Sequence, residues 1–531
     1  MAKRKIRELT TGVHDFPTLI KGNNTKYVDK TDLLYALCND ADQQLFISRP
    51  RRFGKSLMLS TLKAMFEGRK ELFTGLKIYD MPWECWDTPH PVYSLTMASA
   101  NGDTYEEVKE QLDVLVDDLF GVAGIPPPKR GNVPGRFENF LKAAAEKSPT
   151  GKIVLLVDEY DEPVAGFLDD LETLKRVRKL LHDFYEKLKT NSGTIRFLML
   201  TGVTKLTKLS VFSGLNNLKD LTMDKRFATL LGFTPEELDV TLRENVEAFG
   251  AMNGWDFATA KAKLLDWYDG YRFSPESEAR VCNPVSLGKA LSSGLLLNYW
   301  ESTGQTSLIV NRLKAADEIP ADLNGMAATR TQLDVCDAET MPLPALMYQG
   351  GYLTIKEVGD ENSFFLGIPN NEIANSLAEG FVAALLSRGM GIWTDQLVQS
   401  RVDMKKQGVE TLLRKNLRAV FASVPHEWKI EDEREAKRYF LLFMKLIGAD
   451  ISGERQSARG RADAILKDKS GVYVFEFKYG KSAREALEQA HTKDYAGPWL
   501  DAKPPVFLVG VNYDPAKRGI DDPLVEKAEV V

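Results

Sequence analysis

The sequence predicts an α/β protein in three zones, with a mostly parallel sheet in the first zone. Three observations support this. Short apolar runs alternate with helical patterns up to about residue 230, the next zone is mainly helical, and the C-terminal zone returns to strands and a helix. Strands that alternate with helices favour parallel pairing, because each crossover helix returns the chain to the same edge of the sheet.

The first zone contains three apolar runs that are typical of buried strands: Leu45–Ile47, Ile153–Val157 and Phe197–Leu200. Short, continuous apolar runs indicate strands that are covered on both faces. Between the second and third runs, Leu171–Leu188 has the apolar spacing of a helix. We therefore expect a first domain over residues 1–232.

The second zone starts at Thr234–Glu237, where a capping threonine precedes a proline and two acids. Further on, Tyr352–Lys356 and Phe364–Ile368 indicate two strands joined by a polar turn. This pair fits either the wing of a winged-helix unit or an ordinary hairpin. The expected second domain, a helical lid, spans residues 233–425, and the third spans residues 426–531.

The composition excludes several classes of protein. Of the 531 residues, 44% are hydrophobic and 27% are charged, so the chain can bury packed cores instead of remaining disordered. The net charge of -6 argues against binding nucleic acid through overall positive charge, although a local basic patch stays open. The four cysteines and five histidines are too scattered in sequence to suggest a zinc site.

The sequence also predicts a cytoplasmic protein without membrane contact. No apolar run approaches the ~20 residues that a membrane span needs. The basic N-terminus is not followed by the apolar segment of a secretory signal.

A strand, a loop and the start of a helix meet in Leu45–Ser56, which ends in Gly-Lys-Ser. This is the context of a P-loop, in which backbone N–H groups and a helix N-terminus surround phosphate groups. Lys55 is expected to reach the terminal phosphates, and Ser56 to bind Mg²⁺. The motif is degenerate, because Arg49 replaces its usual first glycine and Pro50 lacks an N–H group.

A second motif supports the first. The strand Ile153–Val157 leads directly into Asp158 and Glu159. In nucleotide hydrolases the first acid of such a pair holds Mg²⁺, directly or through water, and the second orients the attacking water. The alternative is a strand followed by solvated acids, since Asp161 and Glu162 show that acids are common here.

Two more polar residues could take part. Thr201, after the third apolar run, could sense the terminal phosphate or be an ordinary strand end, and Arg226 could pair with phosphate. The residues expected to contact nucleotide or its Mg²⁺ are Arg49, Arg51, Arg52, Phe53, Gly54, Lys55, Ser56, Leu57, Asp158 and Thr201.

Two acids face each other in a predicted C-terminal hairpin. Residues 460–478 indicate two antiparallel strands with Asp468–Gly471 as the turn, which places Asp463 opposite Glu476 and Lys478 on the same face. Facing carboxylates, with Cβ atoms ~4.5–5.5 Å apart, repel each other. A Mg²⁺ or Mn²⁺ ion held by both would offset the repulsion. Lys478 could position or deprotonate a water that attacks a phosphodiester.

The same hairpin is also compatible with a site without metal. Arg461 and Lys478 could neutralise the acids as salt bridges, and the register depends on the assumed turn. The alternate residues Tyr473, Phe475 and Phe477 are expected to form its buried face.

Several stretches resemble one family of bacterial proteins. They are Tyr27–Thr31, Ser48–Ser56, Val157–Asp161, Thr201–Val203, Phe212–Leu218 and Gln349–Leu353. The chain is similar, over nearly its whole length, to AAA-ATPase-like proteins with a C-terminal PD-(D/E)xK nuclease-like domain. The resemblance implies a P-loop NTPase core with a parallel sheet, a helical lid and a restriction-endonuclease-like α/β domain.

The resemblance also implies roles at single positions. Lys55 and Ser56 would contact phosphate and Mg²⁺, and Asp158 and Glu159 would be the acid pair. The missing first glycine belongs to the family's own pattern, which lowers the expected rate of ATP turnover more than nucleotide binding.

At the C-terminus, the catalytic D…ExK core of the family matches Asp463, Glu476 and Lys478, with the two acids as metal ligands. An additional upstream acid would be Glu435 or Glu454. Gln489 lies on the helix that follows this core.

The first functional hypothesis is an ATP-regulated, metal-dependent nuclease that acts on DNA, in defence or mobile-element biology. Its catalytic residues would be Glu159, Asp463, Glu476 and Lys478, and its cofactors ATP and Mg²⁺, with Mn²⁺ as an alternative ion at the nuclease site. DNA contact would have to be local, through Lys478, Lys481, Arg484 and the basic residues in 455–461.

Two other hypotheses stay open. One is an ATP-dependent switch or scaffold whose nuclease-like domain is inactive, and the other is a DNA-binding regulator that uses the hairpin of the second zone. Nothing in the sequence decides whether the chain forms an oligomer.

Overall fold

The computed structural model describes residues 6–167, 170–205, 218–300, 325–333, 342–360, 363–377, 391–422, 430–447, 449–457, 460–499 and 505–528. The chain divides into two compact units. The first comprises residues 1–299 and 327–370, and the second comprises residues 300–326 and 371–531. The division into three domains stays a prediction.

The first unit contains a parallel sheet of five strands in the order β2-β3-β4-β1-β5. The strands are β1 (Gln44–Ser48), β2 (Val92–Thr96), β3 (Ile153–Asp158), β4 (Ile195–Gly202) and β5 (Lys219–Asp220). All six residues of β3 are buried, as the continuous apolar run predicts. The three predicted strands and their parallel pairing are confirmed.

The register of this sheet gathers the predicted nucleotide residues at one edge. Ser48, the last residue of β1, lies opposite Gly202 of β4, and Thr201 lies opposite Ile47. On the other side of β4, β3 runs parallel and ends at Asp158. Because the carboxyl ends of parallel strands meet at one edge, the P-loop, Asp158 and Thr201 are neighbours.

Helices cover this sheet and form a separate helical core beside it. They are α1 (Phe16–Lys21), α2 (Thr31–Cys38), α3 (Lys55–Phe66), α4 (Tyr105–Ala123), α5 (Val133–Lys147), α6 (Glu162–Ala165), α7 (Leu171–Thr190), α8 (Pro235–Val240), α9 (Arg243–Asn253), α10 (Phe257–Tyr268), α11 (Pro284–Ser293), α12 (Arg330–Leu333) and α13 (Leu343–Gln349). Helices α4, α5 and α7 pack on the sheet in one apolar core, where the rings of Phe137 and Phe184 stack with centroids 4.0 Å apart. Thr234 caps α8 through a capping box with Glu237, as predicted.

The hairpin predicted in the second zone is also present. Strands β7 (Thr354–Val358) and β8 (Ser363–Gly367) are antiparallel and join β6 (Met326–Thr329) in a sheet of order β6-β8-β7. Its use as a DNA-binding wing stays a prediction.

The second unit contains a mixed sheet of six strands. They are β9 (Asp450–Ser457), β10 (Gly460–Asp468), β11 (Gly471–Tyr479), β12 (Val506–Asp514), β13 (Gly519–Ile520) and β14 (Leu524–Lys527), in the order β13-β12-β11-β10-β9 with β14 paired to β12. Only β11 and β12 pair in parallel. The helices are α14 (Gly391–Gln407), α15 (Val409–Thr411), a π-helical turn (Leu412–Asn416), α16 (Leu417–Ala422), α17 (Glu433–Leu446) and α18 (Ala483–Thr492).

Both faces of β11 are covered, which corrects the expectation of a single buried face. On one face, the ring of Phe440 from α17 lies 5.1 Å from that of Phe475 and 4.7 Å from that of Phe477. On the acid face, Val474 shares a buried core with Leu487 of α18. The predicted carboxylates therefore lie in the interior of the unit.

Short 3-10 turns complete the described elements: Lys70–Phe73, Lys77–Asp80, Glu84–Trp86, Met97–Ala100, Ser192–Thr194, Lys225–Phe227 and Gly497–Trp499. Among the described helices, none is long and apolar enough to cross a membrane.

Candidate nucleotide and metal sites

The P-loop ends in a turn that only some residues adopt easily. Gly54 immediately precedes α3 with φ of +91°, in the left-handed region that glycine enters at little cost. Arg52 has φ of +68°. The turn places the N-terminus of the 12-residue helix α3, with its unpaired N–H groups, at the loop. This arrangement suits an anion such as phosphate.

Lys55 is held inside the loop. Its Nζ donates to the carbonyl oxygens of Arg49 at 2.8 Å and Pro50 at 3.0 Å. Burial lowers the pKa of the Lys55 ammonium group to about 8. Among the described residues, Lys55 Nζ donates to neutral carbonyl oxygens, and a phosphate group would supply a directly bonded counter-charge.

The Asp158 carboxylate connects the end of β3 to β4 and to the first turn of α3. It accepts hydrogen bonds from Ser56 Oγ and Thr201 Oγ1, each at 2.5 Å. Two hydroxyls on a carboxylate form an oxygen-only group of the kind that Mg²⁺ prefers. The residues therefore fit Mg²⁺ bound together with nucleotide phosphates, with Ser56 and Asp158 as the residues that would hold it.

Glu159 has a backbone conformation that is rare for its residue type. Its φ is +54°, and its N–H group donates to Asp158 Oδ1 at 3.0 Å. Strained residues of this kind occur often in functional sites. Burial and the neighbouring Asp158 and Glu162 raise the pKa of the Glu159 carboxyl. The side chain is therefore a better proton acceptor than an exposed glutamate.

Two predicted nucleotide residues direct their side chains elsewhere. The Arg49 guanidinium is 1% exposed and donates to the carbonyl oxygens of Ser48 at 2.9 Å and Thr222 at 2.7 Å. It also lies 4.1 Å from the ring centroid of Phe273. Phe53 packs against the same ring with centroids 5.3 Å apart. The Arg49 side chain is therefore not available to a ligand, and the Phe53 ring is held by aromatic packing.

The other two arginines of the loop are engaged within the first unit. Arg51 Nη2 lies 3.0 Å from both carboxylate oxygens of Glu162. Arg52 donates to the carbonyl oxygen of Tyr299. Either side chain would have to change partners to reach a phosphate.

A small, mostly apolar cavity of about 80 Å³ opens beside the first turn of α3. It is lined by Tyr27, Val28, Lys30, Leu34, Phe53, Gly54, Leu57, Met58, Thr61, Leu230, Leu231, Gly232, Phe233 and Pro284. The predicted contact Leu57 and three residues of the Tyr27–Thr31 motif, namely Tyr27, Val28 and Lys30, thus lie at one cavity next to the P-loop.

A structural role for Asp161 was not expected from the sequence. Its buried carboxylate accepts from the N–H and the hydroxyl of Thr204, each at 2.8 Å. The N–H of the next residue, Lys205, donates to Gln349 Oε1 at 2.7 Å. These contacts give the Gln349–Leu353 motif a place in the first unit, whereas most of Phe212–Leu218 lies outside the described residues.

Arg226 is already paired with acids. Its guanidinium lies 2.7 Å from Asp40 and 2.5 Å from Asp224, which favours a structural role over the suggested contact with phosphate.

In the second unit, the predicted hairpin register is confirmed. Ile465 lies opposite Val474 and Lys467 opposite Val472. The strands continue to Asp468 and Gly471, so the connection is two residues shorter than the expected four-residue loop.

This register brings the two acids into one buried site. Asp463 accepts the N–H of Phe477 on Oδ2 at 2.8 Å, and its Oδ1 accepts from Lys437 Nζ at 2.7 Å. Glu476 is 3% exposed, and its Oε1 accepts from Lys478 Nζ at 2.9 Å and from Gln489 Nε2.

One carboxylate oxygen of the site accepts no hydrogen bond from the described residues. Glu476 Oε2 is buried and has no hydrogen-bond partner among the described residues. Burial, and then the neighbouring Asp463, raise the pKa of the Glu476 carboxyl to about 7. A buried acceptor without a donor is costly, and a divalent cation would satisfy it. Asp463 and Glu476 therefore fit the metal expected from the sequence.

Lys478 belongs to this site and not to a DNA-facing surface. It is 8% exposed, and its Nζ also donates to the carbonyl oxygen of Phe477 at 2.8 Å. Lys481 and Arg484 are exposed at the start of α18 and can still meet a polyanion. The basic side chains in 455–461 lie outside the described residues.

The suggested upstream acids do not join the site in the described structure. Glu435 Oε2 accepts the N–H of Glu431 at 2.7 Å, and the Glu435 N–H donates to Asp432 Oδ1 at 2.8 Å. These two bonds cap the start of α17. The side chain of Glu454 lies outside the described residues. Lys437, two residues further along α17, reaches Asp463 instead, and no sequence motif identified it.

A third group of polar residues comes together away from both sites. The ligand atoms of Glu84, Cys85 and His90 lie within 4.8 Å of one another. Arg196 donates to Glu84 Oε1 at 2.5 Å, so an ion pair already satisfies the one charged ligand. Cys336 lies outside the described residues, and the other three cysteines are buried free thiols.

Comparisons with known proteins identify two domain families in the chain. A family model described as a predicted AAA-ATPase matches residues 10–212, and a model of the PD-(D/E)XK nuclease superfamily matches residues 431–522. An uncharacterized protein in the vnfD 5′ region of Azotobacter chroococcum mcd 1 is 31% identical over 532 residues, covering 98% of this chain and 99% of that protein. No solved structure matches the chain significantly.

Proposed function

This chain belongs to the family of AAA-ATPase-like proteins that end in a PD-(D/E)XK nuclease domain, and on that basis we propose that it is an ATP-regulated, metal-dependent nuclease. Its substrate would be the phosphodiester backbone of DNA. The exposed Lys481 and Arg484, which follow Glu476 in the chain after β11, support a polyanionic substrate.

The observation that carries the proposal is the pair of half-buried Asp463 and buried Glu476, in which Glu476 Oε2 has no donor among the described residues. A divalent ion in such a site stabilises negative charge on the phosphate and lowers the pKa of bound water. Asp463 and Glu476 would hold that ion. Lys478, whose Nζ lies 2.9 Å from Glu476, would orient the attacking water, and Gln489 would hold Glu476 in place.

The nucleotide site would regulate this activity. Lys55 Nζ would exchange two loop carbonyl oxygens for phosphate oxygens, and Ser56 and Asp158 would hold Mg²⁺. Glu159, a carboxylate with a raised pKa, would orient the water that hydrolyses ATP. The apolar cavity beside α3 has the position and lining for part of a nucleotide base.

A cleavage assay with supercoiled plasmid tests the proposal. We expect the full-length protein to cleave the plasmid with Mg²⁺ or Mn²⁺. The cleavage rate of Glu476→Gln should be at least about 100-fold lower, because one metal ligand is neutralised. Glu488→Gln, an exposed acid on α18, is the matched control and should keep the wild-type rate. In Lys55→Ala, the rate should no longer respond to ATP.

The second candidate is an ATP-dependent switch with an inactive nuclease domain. The bonds that already occupy both oxygens of Asp463 favour it, because a metal would have to share or displace them. Tight ATP binding together with an absence of cleavage under every ion condition would support this candidate and contradict the nuclease. Cleavage that survives in Glu476→Gln would place the activity elsewhere.

A further inference from the structure

Asp463 is bound on both oxygens by the protein itself. Lys437 Nζ donates to Oδ1 at 2.7 Å, and the main-chain N–H of Phe477 donates to Oδ2 at 2.8 Å. The Phe477 bond belongs to the backbone of β11 and is fixed by the hairpin register. The Lys437 bond comes from a flexible side chain, so it is the bond that can be exchanged.

The position of Lys437 is determined by its helix. Asp432 accepts the Glu435 N–H and caps the start of α17, and Phe440 of the same helix packs on Phe477. Lys437 therefore projects from a helix that is anchored at its start and along its apolar face. Its side chain is 14% exposed and that of Asp463 is 13% exposed, so water screens this ion pair much less than a surface pair.

Each acid of the site already has an ammonium group beside it. Lys437 Nζ lies 2.7 Å from Asp463, and Lys478 Nζ lies 2.9 Å from Glu476. A divalent ion would add two positive charges within a few ångströms of both lysines. Lys478 also bonds a carbonyl oxygen of its own strand, whereas Lys437 holds the very oxygen that the metal needs.

We propose that Lys437 is a positioning residue that serves as the internal counter-ion of Asp463, and that it must leave Asp463 Oδ1 for a divalent ion to bind. Lys437 thereby weakens the resting affinity of the site for Mg²⁺ or Mn²⁺ and holds Asp463 in place until the ion arrives. This inference rests on the proposed metal site and adds a competing side chain to it.

Titration calorimetry tests the inference. It measures the binding of Mn²⁺ to the full-length protein in the absence of nucleotide. Lys437→Met keeps the aliphatic stem and removes the charge, and we expect at least about ten-fold tighter binding, since a competing cation is lost. Lys437→Arg keeps the charge and should bind within about two-fold of the wild type. Lys469→Met, on the exposed turn of the hairpin, is the matched lysine control.

Glu476→Gln supplies the baseline without the acid pair, and circular dichroism verifies that each variant is folded. If the wild type binds Mn²⁺ above this baseline and Lys437→Met binds equally or more weakly, the role of Lys437 is refuted and the metal site stands. If no variant exceeds the baseline, both the metal site and the role of Lys437 are refuted. Tighter binding by Lys437→Met and Lys437→Arg alike would also contradict the inference, because the effect would then not follow the charge.

Discussion

The carboxyl of Glu476 should make the metal-free protein less stable as the pH rises towards neutrality. Its pKa is raised from 4.5 to about 7, because the group is buried and lies beside Asp463. The unfolded chain releases this proton at the ordinary pKa, so between these two values the folded state holds a proton that the unfolded state has lost. Stability is therefore full below the lower value and falls as the pH rises through the upper one.

The size of the effect follows from the difference between the two pKa values. A difference of about 2.5, from 7 minus 4.5, at ~1.36 kcal/mol for each pH unit, gives about 3 kcal/mol of lost stability above neutrality. Glu476→Gln has the same shape and does not ionise, so it should not show this loss. Saturating Mg²⁺ should remove the loss in the wild type, because the ion binds the ionised carboxyl.

Hydrogen exchange with mass spectrometry measures the local stability of β11 in the full-length protein. The exchange of peptides from β11 is compared at about pH 5 and about pH 8, with a chelator present to keep the protein free of metal. After correction for the intrinsic exchange rate, the free energy of local opening is obtained at each pH. Glu488→Gln should follow the wild type. If the wild type and Glu476→Gln lose stability in parallel, Glu476 is already ionised at the lower pH, and the reasoning about a buried acid pair fails.

Three further substitutions test the packing around the sites by urea unfolding. Gly510→Ala should cost about 2–3 kcal/mol, because its Cβ would collide with the main-chain oxygen of Ala483 in α18. Burial alone would raise the pKa of Asp40. Hydrogen bonds from Lys219 and Arg226 nevertheless lower this pKa to about 2. Asp40→Asn should therefore cost about 2 kcal/mol at neutral pH, and this difference should vanish as the pH falls from 3.8 towards 2. Asp161→Ala should cost about 3 kcal/mol, because it leaves buried N–H groups without an acceptor.

Matched controls separate these effects from general sensitivity to substitution. Gly193 has open space around its Cβ position, so Gly193→Ala should change stability by less than about 0.5 kcal/mol. Asp118 is exposed on α4, and Asp118→Asn and Asp118→Ala should be equally mild. A test variant as mild as its control would show that the contact in question contributes little.

The sequence was sufficient for features that depend on local chemistry. The hairpin register could be derived because Asp468 and Gly471 mark a tight turn, and the strand period of two then fixes which residues face each other. The order of strand, loop and helix around Lys55, and the acid at the end of β3, are equally local. These patterns located the P-loop, Asp158 and the acid pair.

Contacts between residues far apart in the chain could not be derived in this way. Lys437 lies 26 residues before Asp463, on a helix whose rotation relative to the sheet no local pattern reveals. The covering of the acid face by α18 depends on Gly510 in a later strand. The acceptor role of Asp161 could not be derived either, because it depends on Thr204, which lies 43 residues further along the chain.

The arginine that replaces the usual first glycine of the P-loop has a consequence for any attempt to engineer this loop. The Arg49 side chain ties the end of β1 to the carbonyl oxygens of Ser48 and Thr222 and covers the ring of Phe273. Arg49→Gly would therefore do more than restore a conventional loop. It would remove a donor from two interior carbonyl oxygens and leave empty space beside the aromatic ring, so the loop and the residues around it would have to be redesigned together.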